Sequence, residues 1–444
     1  MTKINTSPIS GMQELSPNTQ AVFDSLKQDI VTTYKSHGFF NIETPSIERT
    51  EILFAKAGGD TEKQIYKVFK TSESPENANQ ALRFDHTVPL ARYVIEHESE
   101  ITFPFKASQV GTNFRGERAQ KGRFREFYQC DIDIIGRNEL PITYDAEVIA
   151  TLLDTFTAFG LETPVLARIN NRKILSGFLA FLELTNNETE IYNIIDHTEK
   201  VTPVQTKLDL ENLNIPKNKV KKILDFIEIH GDRASTIKAL GNLEISHPIF
   251  DQGVIELDQT MYLLESINHQ DHIQADMKII RGLDYYTGTV FEFILPEYKN
   301  IGSVCGGGRY ENLTQYFSDK TSFPGVGGSI GLTRLFYILN EKNLIKKHIQ
   351  PIDYAIIPIS ESEINYSFIV ANKLRTKGYS VTTVLTQKKL SDKLSYAAKI
   401  AQNGIVIGSN EVESSILQTK NFSTGETSEL NLNSSANPED FWAA

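Results

Sequence analysis

The segment Phe114-Arg-Gly-Glu-Arg-Ala-Gln-Lys-Gly-Arg-Phe-Arg-Glu-Phe-Tyr-Gln-Cys-Asp-Ile-Asp133 holds the densest chemistry of the chain. Read as a strand from Arg123 to Ile135, it places Arg123, Arg125, Phe127, Gln129, Asp131 and Asp133 on one face. The other face carries Phe124, Tyr128, Cys130, Ile132 and Ile134, with Glu126 the exception. A plain solvated sheet face would show scattered Thr, Lys and Glu. Arginines, a glutamine and two aspartates around one aromatic ring instead suit a polar floor under a charged ligand. Guanidinium groups can grip phosphates in bidentate fashion and stabilise charge that grows during phosphoryl transfer. A Phe ring can stack on a base. Gln129 and Asp133 can hold an amino acid's ammonium or side chain. No glycine loop of the Walker type occurs, so a nucleotide here would be held by arginines rather than by a backbone nest.

The elements that must carry this row can be read from periodicity and punctuation. A helix opens at Ser16-Pro17, with Val22, Leu26, Ile30 and Tyr34 four apart and Gly38 as its terminator. Phe39 to Thr44 reads as a strand that stops at Pro45. A helix from Thr87 to His97, a strand from Phe103 to Phe114 and a polar loop from Gly116 to Gly122 follow. Next come the long strand, a helix from Tyr144 to Phe159 and a strand from Val165 to Asn170. From Asn171 to Gln270 the pattern is helical, as in Val220, Ile223, Leu224 and Ile227. Strand signals return at Met277–Arg281, Thr289–Leu295 and Gly302–Cys305. The expected class is α+β: a mainly antiparallel sheet flanked by helices, interrupted by a helical block. Beyond a linker at Glu341–Gln350, strands at Tyr354–Ile359, Val381–Leu385 and Ile405–Ile407 alternate with helices near Asn365–Lys377 and Ser391–Gln402, a small α/β domain.

Bulk properties narrow the class. The 444 residues are 40% apolar and 23% charged, enough for two or three globular domains. Net charge is −11, which disfavours a generic basic nucleic-acid binder but permits a local basic groove. Cys130 and Cys305 sit in apolar runs and read as buried free thiols. The histidines show no metal-site spacing; His269 and His272 read as a solvated helix end. The polar start lacks a secretory core and no apolar run approaches a membrane span, so the expected location is cytoplasmic.

The pattern Phe114-Arg-x-Glu, a loop, then Arg123-x-x-x-Phe-x-x-x-Asp131 resembles motif 2 of the class II aminoacyl-tRNA synthetases. Pro45, after a helix and a strand, resembles motif 1, which in that class builds the dimer interface. Gly325-Val-Gly-Gly-Ser-Ile-Gly-Leu-Thr-Arg334 resembles motif 3. Two further segments are similar to the signature peptides of the histidine-specific family: Arg281-Gly-Leu-Asp-Tyr-Tyr-Thr-Gly-Thr-Val-Phe-Glu292 and Val304-Cys-Gly-Gly-Gly-Arg-Tyr310. Alone, a Tyr pair reads as core and a Gly triplet as a turn. Beside Arg281 and Arg309 they read as a pocket wall, with Gly306 to Gly308 leaving room for a ligand. Leu82-Arg-Phe-Asp-His-Thr-Val-Pro-Leu-Ala-Arg92 also matches, although many bacterial members carry Glu where Asp85 and Asp133 stand.

The resemblance implies a division into a catalytic domain in two parts (1–170 and 271–342), a helical insertion (171–270) that clamps the tRNA acceptor stem, and an anticodon-binding domain (350–444) with basic Lys388, Lys389 and Lys393. It implies a histidine pocket of Asp85, Thr87, Gln129, Asp133, Arg281, Tyr285, Tyr286 and Tyr310. In it Asp85, Thr87 and Gln129 hold the ammonium, and Asp133 and Tyr286 meet the imidazole nitrogens. ATP, accompanied by Mg²⁺, is expected at Arg115, Glu117, Arg123, Phe127 and Arg334. Phe127 would lie under adenine, Glu117 at its amino edge, Arg334 at the far phosphates, and Arg115 and Arg281 beside the reacting phosphoryl group. Arg118 and Gln120 are expected near the tRNA 3′ end. The implied partners are tRNA(His), L-histidine, ATP and a second copy of the chain.

Overall fold

The computed structural model describes residues 4–55, 62–280, 286–311, 314, 317, 321–345 and 352–430. The chain divides into two units, one of Met1–Glu14 with Leu26–Lys346, the other of Leu15–Ser25 with Lys347–Ala444. The frame of the first, among the described residues, is a nine-stranded sheet. Its strands are β1 (Phe40–Asn41), β2 (Phe105–Phe114), β3 (Glu126–Ile135), β4 (Leu166–Asn171), β5 (His230–Gly231), β6 (Ile273–Asp276), β7 (Tyr286–Ile294), β8 (Cys305–Tyr310) and β9 (Gly325–Ile330). They lie side by side as β1-β2-β3-β9-β8-β7-β4-β6-β5. Only β1·β2 and β4·β6 are parallel. The class is α+β with a mainly antiparallel sheet, as the sequence suggests.

The helices that matter for the site are α1 (Pro17–Ser36), α2 (Thr87–Glu96), α3 (Thr143–Ala158), α4 (Arg172–Phe181), α5 (Pro248–Ser266) and α6 (Leu332–Glu341). The apolar face of β3 reads as expected: Cys130, Ile132 and Ile134 are fully buried. Helices α3 and α6 pack against β3. Leu26, Ile30 and Tyr34 of α1 are buried, and the Tyr34 hydroxyl donates to the Cys130 carbonyl at 2.9 Å. Both cysteines are buried free thiols. The opposite face of β3 is left to the polar row.

Several strand expectations shift, and the expected strand at Phe39–Thr44 shrinks to Phe40–Asn41. The long strand begins at Glu126 rather than Arg123, because Gln120 and Arg123 close a turn through mutual backbone bonds of 3.3 and 2.9 Å. The Arg125 amide donates to Gly11 instead of to a neighbouring strand, at 2.7 Å. Met277–Ile280 is not a strand: the Lys278 amide bonds the Asp276 carboxylate and the Ile279 amide the Asp276 carbonyl, which turns the chain. The expected strand at Gly302 begins at Cys305.

Helices α4 and α5 frame the helical stretch and lie against the sheet, α4 on β7 and α5 on β4. They cross one another where glycines remove the side chain. A Cβ at Gly177 would stand 2.3 Å from the Phe250 amide nitrogen, and one at Gly253 would stand 2.7 Å from that of Ile174. On the far side of the sheet floor, Arg309 of β8 is tied to α3. Its Nη2 lies 2.7 Å and its Nε 3.0 Å from Asp145 Oδ1, while Nη1 and Nη2 also donate to the Leu140 and Pro141 carbonyls. Arg309 is therefore a structural anchor and not part of a ligand wall.

In the second unit, Ile352–Pro358 pairs in parallel with Val381–Thr383 and Ala401–Ile407. Strand alternation splits its core. Helix Ile364–Thr376 covers Tyr354 and Ile356, and helix Leu390–Ile400 packs near Ala355 and Ile357. An antiparallel hairpin of Leu417–Asn421 and Thr427–Leu430, too polar to read in sequence, extends the sheet. Lys393 is not part of an exposed basic cluster: it is buried and donates to the Pro358 carbonyl at 2.8 Å. Lys388 and Lys389 are exposed.

Breaking the Arg309–Asp145 pair from one side leaves a buried guanidinium without its counter-charge. Asp145→Ala is expected to destabilise the first unit by about 3–5 kcal/mol. Thermal unfolding beside the parent protein checks this; an unchanged midpoint would show the anchor to be dispensable.

Candidate active site

The polar face of β3 floors two adjoining hollows. Cross-strand register builds the inner one. Asp133 faces Gly327 and Asp131 faces Ser329 across β3·β9, while Gly306 faces Ser329 and Gly308 faces Gly327 across β9·β8. Gly327 is required by contact: a Cβ there would stand 2.0 Å from the Asp133 Oδ1. The inner hollow measures about 70 Å³ and is lined by Asp85, Thr87, Gln129, Asp131, Asp133, Tyr286 and Tyr310, with Arg115 at its border. It has room for one small substrate and not for a nucleotide.

Among the described residues, three carboxylates therefore share the hollow with one guanidinium. The Asp85 Oδ1 accepts from the Val88 amide in the first turn of α2 at 2.9 Å. Burial raises the Asp85 carboxyl above the ordinary range, opposed by that amide and by Arg115. Burial pushes Asp133 well up; Asp131 and Asp85 add to this, and the Tyr310 hydroxyl, donating at 3.0 Å, opposes it. Asp131 is buried between the His86 Nδ1, at 3.1 Å, and the Ser329 hydroxyl, which donates to it. Gln129 donates to the Ser329 Oγ at 2.8 Å and accepts from Asn113 at 2.7 Å.

The outer cleft, about 390 Å³, falls in the size range of small-molecule sites. Arg115, Glu117, Arg123, Phe127 and Arg334 line it, and it shares Arg115, Gln129, Gly306 and Ser329 with the inner hollow. The Arg115 guanidinium lies 4.4 Å over the Phe84 ring and 5.0 Å over that of Phe127, with Nε donating to the Phe84 carbonyl at 3.2 Å. Arg123 pairs with Glu117 at 3.3 Å. Arg334 donates to the Ile301 carbonyl beside Gly302, whose φ of +72° suits glycine.

Of the residues singled out in sequence, Asp85, Thr87, Gln129, Asp133, Tyr286 and Tyr310 meet in the inner hollow. Arg115, Glu117, Arg123, Phe127 and Arg334 meet in the outer cleft. Arg118 and Gln120 are exposed on the loop and line neither hollow. Arg281 and Tyr285 lie outside the described residues. Arg125 leaves the row: its side chain donates to the Ser10 and Glu117 carbonyls. Within the glycine triplet only Gly306 borders the hollow. A Cβ at Gly307 would strike the Gly327 carbonyl at 2.1 Å, and one at Gly308 the Tyr286 ring at 2.9 Å. Sequence reading missed Ser329 and His86. Ser329 had a signal, two residues from Gly327 on one strand; His86 had none.

A carboxyl whose pKa rises on folding binds its proton more tightly folded than unfolded. Folding is then penalised as pH climbs from the ordinary carboxylate range through the raised value. Asparagine at 133 escapes this penalty and keeps an acceptor for Tyr310. Asp133→Asn is expected to melt above the parent at about pH 8, by about 2–4 °C per kcal/mol relieved, with the gap narrowing at about pH 4. Thermal unfolding at both pH values checks this. No gain at the higher pH would mean that the crowded carboxyl carries no electrostatic strain.

The family model for histidyl-tRNA synthetase matches residues 11–335, and the anticodon binding domain model matches residues 353–437. A histidine–tRNA ligase of Clostridium tetani is 42% identical over 97% of both chains, and one of Finegoldia magna 39% over 97% of this chain and 98% of its own. The crystal structure of histidyl-tRNA synthetase from Nostoc sp. PCC 7120 superposes with a TM-score of 0.87 at 34% identity, covering 97% of each chain. A paired acidic hollow and arginine-lined cleft on an antiparallel sheet, joined to these matches along nearly the whole chain, place the protein in the histidyl-tRNA synthetase family.

Proposed function

We propose that the protein activates L-histidine with ATP to histidyl-adenylate, releasing pyrophosphate, and then transfers the histidyl group to the 3′ end of tRNA(His). The observation that carries this reading is the junction of the two hollows at Arg115, Gln129, Gly306 and Ser329. A small substrate in the acidic hollow and a nucleotide in the arginine-lined cleft would meet there, carboxylate against α-phosphate.

Histidine seats its ammonium on Asp85, Thr87 and Gln129. Asp133, held by Tyr310, faces one imidazole nitrogen and Tyr286 the other, with Tyr285 beside them. Phe127 stacks on adenine, Glu117 meets its amino edge, and Arg123 and Arg334 hold the phosphates. The histidine carboxylate attacks the α-phosphorus in line, a new C–O–P bond forms, and the bond to pyrophosphate breaks. Arg115 and Arg281 hold the charge that grows on the phosphoryl oxygens. ATP enters as its Mg²⁺ complex. Glu117 is the one carboxylate among the described residues lining the cleft and is paired with Arg123, which favours an ion carried chiefly on the phosphates. A ribose hydroxyl of the tRNA terminus, near Arg118 and Gln120, then attacks the acyl carbon and AMP leaves.

The assigned division is a catalytic domain (1–170, 271–342), an acceptor-stem insertion (171–270) and an anticodon-binding domain (350–444). The region of Pro45 forms a homodimer interface. The protein acts in the cytoplasm; no helix of the described residues is long and apolar enough to cross a membrane.

ATP–pyrophosphate exchange with each amino acid supplied in turn tests the reading. Exchange is expected with histidine alone; exchange with another amino acid, or with none, would overturn it. Arg281→Ala is expected to slow exchange by about 10²–10³-fold with little change in histidine affinity, because its contact strengthens in the transition state. An unchanged rate would remove Arg281 from the chemistry.

A further inference from the structure

We propose that His86 is a positioning residue for ammonium recognition: through Asp131 and Ser329 it fixes the Gln129 amide so that its carbonyl oxygen faces the substrate's ammonium. This rests on reading the inner hollow as the histidine site.

His86 lies between Asp85 and Thr87, yet it lines neither hollow and is 1% exposed. Its Nδ1 stands 3.1 Å from the Asp131 Oδ2. An ionised carboxylate only accepts, so Nδ1 carries the proton. The other Asp131 oxygen accepts from the Ser329 hydroxyl. With its single proton committed to Asp131, Ser329 can only accept from Gln129, which fixes Nε2 as the end that faces it at 2.8 Å. The Gln129 Oε1 is thereby turned to the other side. There it accepts from Asn113 at 2.7 Å and keeps a second lone pair for a cation in the hollow.

Each bond in this chain sets the direction of the next, and His86 is its terminal donor. Asp131 lies beside Asp133 and Asp85, and its charge adds to the burial that raises both of their carboxyls. Without the imidazole N–H, the Asp131 carboxylate loses the donor that holds its Oδ2, the Ser329 hydroxyl loses its fixed acceptor, and the Gln129 amide is free to turn over. The Gln129 amide group would then present N–H to an ammonium, a repulsive contact. The fold makes specific room for the ring. A Cβ at Gly111 would stand 3.3 Å from the His86 Nε2 and 2.6 Å from the Arg83 Nη2. Arg83 is itself fixed on the Thr44 and Thr112 carbonyls at 2.7 and 2.8 Å.

Histidine-dependent ATP–pyrophosphate exchange by the full-length protein, with His86→Leu, His86→Asn and Ser329→Ala, tests the relay. His86→Leu is expected to raise KM for histidine at least about tenfold while KM for ATP stays within about twofold. His86→Asn, which keeps an N–H toward Asp131, is expected to recover most of the loss. Ser329→Ala breaks the chain nearer Gln129 and is expected to raise KM for histidine likewise; it carries the test if His86→Leu does not fold. Equal KM values in His86→Leu and the parent, or no difference between Leu and Asn, would overturn the relay. Absence of histidine-dependent exchange in the unsubstituted protein would instead overturn the reading of the hollow.

Discussion

Asp85, Asp131 and Asp133 are crowded into one small hollow with, among the described residues, a single guanidinium at its border. Like charges held close in a poorly hydrated space disfavour their own ionisation, and both Asp85 and Asp133 are shifted upward. The arrangement is costly without a ligand and is relieved by a cation. A substrate that brings an ammonium group and N–H donors of an imidazole supplies what the floor lacks.

The rest of the first unit serves that crowding. Alternation on β3 sends Cys130, Ile132 and Ile134 into the core and so forces Gln129, Asp131 and Asp133 to the other side. Glycines on β9 and β8 let the neighbouring strands approach: Gly327 makes space for the Asp133 carboxylate and Gly308 for the Tyr286 ring. Arg309 locks β8 to α3 from behind, and Tyr310, its neighbour in sequence, points the other way to hold Asp133. Arg115, fixed over two aromatic rings, stands at the boundary where the acidic hollow gives way to the cationic cleft. The floor of β3 thus lies under two opposite electrostatic environments side by side, the cations of the outer one supplied by Arg115, Arg123 and Arg334 from neighbouring segments, which suits joining a cationic amino acid to an anionic nucleotide.

Much of this was legible in the sequence because strand alternation is a local rule. The placement of Phe127, Gln129, Asp131 and Asp133 on one face follows from their spacing alone. The same rule misassigned Arg125, because nothing local reveals that Gly11 comes back to take its amide. Arg309 looked like a pocket residue next to a glycine triplet, but β8 sends Arg309 and Tyr310 to opposite faces, and only the fold shows which face holds α3. Lys393 read as part of a charged run, yet it is buried against the Pro358 carbonyl. The polar hairpin at Leu417–Leu430 escaped notice because its strands lack the apolar alternation that marks half-buried ones. His86 was invisible because its role depends on three bonds across separate strands.

The central claim is that the acidic floor selects the cationic part of its substrate. Titration calorimetry with two analogues tests it most directly. Histidinol keeps the ammonium and imidazole but has no carboxylate; imidazolepropionate keeps the carboxylate and imidazole but has no ammonium. Histidinol is expected to bind within about tenfold of histidine, and imidazolepropionate at least about 30-fold more weakly, as follows from removing one partner of a buried charge pair. The reverse order would contradict a floor built to receive a cation.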